Sequence, residues 1–258
     1  METIVYSVEN QVGYLKLNIP DKMNALRAEM KKELLALFSE IRTDPNIRAL
    51  VITGEGKAFC AGGDISTLGD KQKNNEGRDR MLYSVDFIKM LEAFEKPVIA
   101  AVNGYAVGAG LSISLACDFI ICSEKASFGS AFINLSSVPD LGCVWNLVRR
   151  VGVPKAKEIT YTGRSIKAAE ALEIGLADKV VAPEDLMATA KEMAEKFAQG
   201  PTYGIGLTKS LINRAYDNSF LNYLEMEANA QAAAFHTVDH TMAVNAFINK
   251  TEKNFIGK

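Results

Sequence analysis

At 258 residues, with 48% hydrophobic and 23% charged residues, the chain has the bulk of one large domain, or of one domain with a small appendage, and an ordinary globular composition. A formal net charge of −2 provides no general attraction to nucleic acid or to an anionic membrane. The four cysteines (60, 117, 122 and 143) form no Cys-x-x-Cys pair and the two histidines, His236 and His240, lie far along the chain; neither a disulfide framework nor a metal site is expected, and a reducing cytoplasm fits.

In chain order, residues 3–8 and 12–18 alternate in hydropathy and predict a β-hairpin. No signal peptide is expected from residues 1–9, which lack a basic stretch and a long apolar core. Residues 26–42 place Leu26, Met30, Leu34, Leu37, Phe38 and Ile41 at helical spacing, and 78–95 do the same with Met81, Val85, Ile88 and Leu91. Short apolar runs at 50–53, 98–102, 119–122 and 179–182 predict strands buried on both faces, with a helix at 108–117 between the second and third. The uncharged stretch 97–117 is long enough to span a bilayer, but Pro97, Asn103 and three glycines break it into strand, turn and helix. A further helix is predicted at 142–150, and from 184 onward the pattern is helical only, at 184–199, 205–230 and 239–254. The expected organisation is an α/β core over 1–183 and a helical C-terminal subdomain over 184–258.

Two segments carry small residues where backbone must approach something closely: Ala58-Phe-Cys-Ala-Gly-Gly-Asp64 after one strand, and Gly104-Tyr-Ala-Val-Gly-Ala-Gly110 after another. Read plainly, each is a tight strand-to-helix connection. Each also offers unpaired N–H groups at a helix start, and two such donors converging on one oxygen make an oxyanion hole. Nucleotide-binding readings fail on spacing: Gly104, Gly108 and Gly110 are not GxGxxG, and Gly56-Lys57-Ala58 lacks the remainder of a phosphate loop.

The segments Lys57-Ala-Phe-Cys-Ala-Gly-Gly-Asp-Ile65, Lys96-Pro-Val-Ile-Ala-Ala-Val-Asn-Gly104, Ala106-Val-Gly-Ala-Gly110, Cys117-Asp118, Ala126-Ser-Phe-Gly129, 147–152, Thr162-Gly-Arg164 and 171–181 occur in an order that resembles the crotonase (enoyl-CoA hydratase/isomerase) superfamily. The resemblance runs from about residue 3 to 256. It implies a crotonase-like fold of repeated ββα units with the helical C-terminal subdomain, and an acyl-CoA thioester as substrate. Carried over by residue, the oxyanion donors fall on the backbone N–H groups of Gly63 and Ala109. Lys22, Ala25, Ala61, Asp64 and Ile65 would border coenzyme A, which enters as part of the substrate; no separate cofactor is expected. Phe247 and Lys250 fall where family members offer an aromatic ring and a base to coenzyme A, often across a subunit contact. They read equally as a packed helix-face residue and a solvated charge. The resemblance further implies a homotrimer or a dimer of trimers, with no nucleic-acid or membrane partner.

The chain departs from a typical hydratase at both water-activating glutamates. Ser112 and Phe132 stand at those two positions, and a hydroxyl beside a phenyl ring cannot act as an acid–base pair at neutral pH. One acid remains, Asp140, in Val138-Pro-Asp-Leu-Gly142. By itself it reads as an N-cap or a solvated loop acid. The resemblance makes it the catalytic carboxylate of non-hydratase branches, and the surrounding Ala-Phe, Pro-Asp and Trp145 are most similar to the phenylacetate-type and Δ3,Δ2-enoyl-CoA isomerases. The expectation is an isomerase of fatty-acid-type metabolism that shifts a double bond through an enolate, with Asp140 as proton shuttle and with Phe132 and Trp145 excluding water. The alternatives are a hydratase or lyase of the same superfamily and a catalytically weak subunit that binds CoA esters.

Overall fold

The computed structural model describes residues 2–64 and 74–258. Ile65, expected to border coenzyme A, lies outside them. In chain order the first half contains β1 (Ile4–Glu9), β2 (Val12–Leu17), α1 (Ala28–Ile41), β3 (Ala49–Gly54), β4 (Ala58–Cys60), α2 (Asn74–Glu92), β5 (Val98–Val102), β6 (Tyr105–Val107) and α3 (Ala109–Leu115). The second half continues with β7 (Phe119–Ser123), β8 (Ser127–Gly129), α4 (Cys143–Thr162), β9 (Ser165–Lys167), α5 (Ala168–Glu173) and β10 (Lys179–Val181). Four helices follow, α6 (Leu186–Ala198), α7 (Thr202–Arg214), α8 (Phe220–Phe235) and α9 (Val238–Asn249).

Among the described residues the strands form two sheets, a six-stranded one in the order β1-β2-β3-β5-β7-β10 and a four-stranded one in the order β4-β6-β8-β9. The β1–β2 hairpin closes through Asn10 and Gln11, at φ 50° and 64°, the paired left-handed geometry of a two-residue hairpin turn. From β2 onward the larger sheet is parallel. Its inner strands are apolar throughout because both faces are covered. Leu50 and Ile52 of β3 face the core that includes Met30, Leu34 and Phe38 of α1, while Ala49 and Val51 face Ala190 and Ala194 of α6. Each such fully buried large side chain contributes about 1.5–3 kcal/mol relative to exposure. Phe38 locks α1 to the layer beyond, edge-on to Phe87 and Phe94 at centroid distances of 5.5 and 5.4 Å.

Three differences from the sequence expectation matter. The four-stranded sheet is built largely from strands of three residues, too short for any periodicity to register. The helix expected over 205–230 is two helices, because the chain breaks after Arg214 and α8 restarts at Ser219, whose hydroxyl caps the Asn222 N–H at 3.4 Å. Helix α4 runs past 150 to Thr162 with a kink at Gly152 (φ 75°, ψ 164°), two residues before Pro154. No described helix is long and apolar enough to cross a membrane.

Candidate active site

The parallel register of β4 and β6 carries the two small-residue segments off the sheet side by side. Their separation is set by glycine. A Cβ on Gly110 would lie 1.9 Å from the Cys60 carbonyl oxygen, and one on Gly62, at φ 113°, would lie 3.3 Å from the Val107 oxygen and 4.0 Å from the Ala109 nitrogen. Larger residues would push the segments apart. Gly63 is exposed, with open space where its Cβ would be.

Ala109 is the first residue of α3, and the first intrahelical bond closes only at the Ser112 N–H, 3.0 Å from the Gly108 oxygen. The Ala109 amide therefore has no acceptor within its helix. The segment 22–26 is stitched to the same edge: Ala61 N donates to Met23 O at 3.0 Å, Leu26 N donates to Gly62 O at 2.8 Å, and Leu26 bridges Gly63. Asn24, fully buried at φ 56°, holds that turn by accepting from Ile19 N and donating to the Glu55 and Ala58 carbonyls. The sequence reading passed over Asn24. Its one available signal was asparagine's tolerance of the left-handed region. Arg27 and Asp64 close the edge with an ion pair at 3.0 Å. Lys22, Ala25, Ala61 and Asp64 are thus gathered beside Gly63.

The opposing wall is the loop between β8 and α4. After the 3-10 turn Ala131–Leu135, Phe132 brings its ring tip 3.8 Å from the Cβ position of Gly108. Asp140 does not cap α4; Gly142 occupies the N-cap, without a side-chain bond. Instead the Asp140 carboxyl is partly buried, and its Oδ1 is enclosed without a hydrogen-bond partner among the described residues. Burial raises its pKa above the ordinary carboxylate value, offset in part by the Lys31 ammonium on α1 and by its own backbone N–H. Lys31, another residue the sequence reading missed, is tied to Ser84 of α2 at 2.6 Å.

Ser112 is fully buried, with its hydroxyl 3.0 Å from the Asp140 carbonyl oxygen and 3.2 Å from that of Gly108. The expected pairing of Trp145 with the site takes another form: Trp145 is half exposed and lies flat beneath the Arg149 guanidinium, 3.5 Å from the ring centroid. Phe247 is 78% exposed and Lys250 is exposed at the end of α9. Among the described residues no hydrogen bond or ion pair joins either side chain to the rest of the site. The Cys117-Asp118 motif is architectural: Asp118 accepts from Val98 N at 2.7 Å and from Lys209 Nζ at 2.8 Å, tying β5 to α7.

A cavity of about 1040 Å³ opens between α7, α8 and the sheet edge at Asp118 and Phe119, and none of the candidate residues lines it. No cluster able to hold a metal ion occurs among the described residues. Chemically, the site offers the Ala109 amide, which has no acceptor within its helix, on one wall and the partly buried Asp140 carboxyl on the other.

The chain matches the model of the enoyl-CoA hydratase/isomerase family over residues 7–258. It is 39% identical over 252 residues to the short-chain-enoyl-CoA hydratase of Clostridium acetobutylicum, covering 97% of this chain and 96% of that one. It is 36% identical over 264 residues to the 1,2-epoxyphenylacetyl-CoA isomerase of Escherichia coli, each chain covered in full. The crystal structure of an enoyl-CoA hydratase from Bacillus anthracis superposes with a TM-score of 0.93 at 34% identity, covering 99% of this chain and 100% of that one. A full-length match of sequence and fold of this kind makes the chain a member of the enoyl-CoA hydratase/isomerase family, within the crotonase superfamily.

Proposed function

We propose that the protein is an acyl-CoA isomerase that moves a double bond between the β,γ and α,β positions of an enoyl-CoA thioester. The observation that carries this reading is the pairing of an Asp140 carboxyl, whose Oδ1 is enclosed and has no hydrogen-bond partner among the described residues, with a serine and a phenylalanine at the positions where a hydratase has glutamates. The thioester oxygen would accept from the Gly63 and Ala109 amides. Asp140, ionised, would take a proton from C2, leaving a dienolate whose charge rests on that oxygen. The same carboxyl would then return the proton to C4, and no water would be consumed. Phe132, beside Gly108, keeps that face apolar.

The 22–26 turn with Ala61 and Asp64 would border coenzyme A. Phe247 and Lys250 would reach it only from a neighbouring subunit. Helix α8 supports such an assembly, since no residue on it is buried although Phe220 and Leu221 are 73% and 74% exposed. A trimer or a dimer of trimers would cover it, and sedimentation as a monomer at micromolar concentration would remove this part of the reading.

Hydration is the competing reaction, and the relative from C. acetobutylicum bears the name of a hydratase. The two separate on product analysis. A short 3-enoyl-CoA should give the 2-enoyl isomer, and a 2-enoyl-CoA should give little or no 3-hydroxyacyl product. Brisk formation of the 3-hydroxyacyl ester would favour the hydratase.

A further inference from the structure

We infer that Ser112 is a positioning residue for Asp140: its hydroxyl anchors the backbone of the loop that presents the carboxyl to the substrate. The inference rests on the isomerase reading for its consequence in turnover, but on geometry for its substance. The Asp140 carbonyl oxygen is held from two elements at once, by the Ser112 hydroxyl of α3 at 3.0 Å and by the Cys143 N–H of α4 at 3.0 Å. Between these anchors the chain turns through two consecutive left-handed residues, Leu141 at φ 53° and Gly142 at φ 73°. Leucine adopts that conformation only when its surroundings impose it, and Leu141 is buried.

The only side chain bonded to the Asp140 carbonyl among the described residues is that of Ser112, which sits on the helix whose first amide is the candidate Ala109 donor. The serine therefore links the two walls of the site directly. Its single proton is contested. The Gly108 oxygen, at 3.2 Å, already receives the Ser112 N–H, so the Asp140 oxygen, closer at 3.0 Å and on the strained turn, gains more from it. The same hydroxyl borders the Cys143 thiol, whose pKa burial pushes up to about 11, leaving it neutral. Among the described residues, the charged and titratable groups that face the carboxyl are Lys31 of α1 and this thiol of α4.

A glutamate at 112 would remove the anchor and place a larger side chain at a fully buried position beside the Asp140 loop. Within this chain, Ser112 and the Asp140 base belong together.

The test compares Ser112→Ala and Ser112→Thr with the wild-type enzyme. It reads the carbon-13 titration of the Asp140 carboxyl, which requires no turnover, and the kinetics on a 3-enoyl-CoA, with Asp140→Asn assayed in parallel. In Ser112→Ala the freed loop should let water reach the carboxyl, so its titration should move down toward the ordinary carboxylate range. Its kcat should fall by about 10- to 100-fold with KM little changed. Ser112→Thr, which keeps the hydroxyl, should restore both; if its methyl group prevents folding, the alanine variant decides alone.

An Asp140 titration that does not move in Ser112→Ala overturns the inference. So does an unchanged kcat in that variant when Asp140→Asn is inactive. If the titration moves while Asp140→Asn keeps full activity, the anchor stands and the isomerase reading falls instead.

Discussion

The two walls of the site are built on different physical terms. The donor wall grows out of the parallel strands β4 and β6. Its position is set by close backbone approach at Gly62 and Gly110, and it carries no titratable group at its centre. The acid wall is a loop with left-handed turns at Ser136, Leu141 and Gly142 and an enclosed carboxyl whose pKa burial raises. In the proposed mechanism the first wall would hold the enolate of any acyl-CoA, and so would suit the whole family. The second would decide what becomes of that enolate. The contrast explains why the fold and the full-length relatives speak firmly for the family, whereas the reaction rests on a few side chains between 112 and 140.

If that division holds, damage to each wall should differ in kind. Asp140→Asn should keep CoA-ester binding and lose turnover by about 10²–10⁴-fold, the range expected for removal of a positioned general base. Isothermal titration with a non-reacting CoA ester would check the first half and steady-state kinetics the second; undiminished turnover would take Asp140 out of the mechanism. Ala109→Pro should lower turnover by about 10²–10³-fold by deleting one donor to the enolate oxygen. Ala109 is the first residue of α3, where proline is compatible with helix geometry. A variant with an intact circular dichroism spectrum and the wild-type rate would move the donor elsewhere.

Ser112→Glu combined with Phe132→Glu should lose the proposed isomerase activity through the Asp140 loop. Any hydration of a short 2-enoyl-CoA would appear only at that expense. A double variant that hydrates and also isomerises at the wild-type rate would uncouple the two walls.

The smallest effect is thermodynamic. A carboxyl whose pKa is raised in the fold contributes stability below its unfolded pKa, and that contribution is lost as pH rises through the folded value. Asp140→Asn should therefore melt above the wild type at neutral pH. The gain should vanish below about pH 4, where the wild-type carboxyl is protonated in both states. A gain that is independent of pH would mean that the carboxyl is not enclosed in solution.

The parts of this account that sequence could supply are those in which one residue type answers to one local demand. The continuous apolar runs of β3 and β5 announced strands covered on both faces, and Ala58–Gly63 and Gly104–Gly110 announced close backbone approach. Asp140 stood out as the remaining acid in a pattern otherwise stripped of carboxylates. What stayed hidden depends on contacts between distant segments. Ser112 was read as a missing glutamate, and its bond to a carbonyl 28 residues away has no local signature. Asn24 was passed over, because its bonds to the carbonyls of 55 and 58 link it to a distant segment. Trp145 was placed in the site by pattern, but Arg149, one helical turn on, offers its ring a closer partner.

The central claim is that one carboxyl carries one proton from C2 to C4 with no water taking part. The direct test supplies a 3-enoyl-CoA deuterated at C2, in ordinary water enriched in oxygen-18, and reads the product by mass spectrometry and NMR. The account predicts a 2-enoyl-CoA that keeps a measurable share of the deuterium at C4 and contains no oxygen-18. A 3-hydroxyacyl-CoA bearing oxygen-18, formed without a deuterated 2-enoyl product, would contradict it.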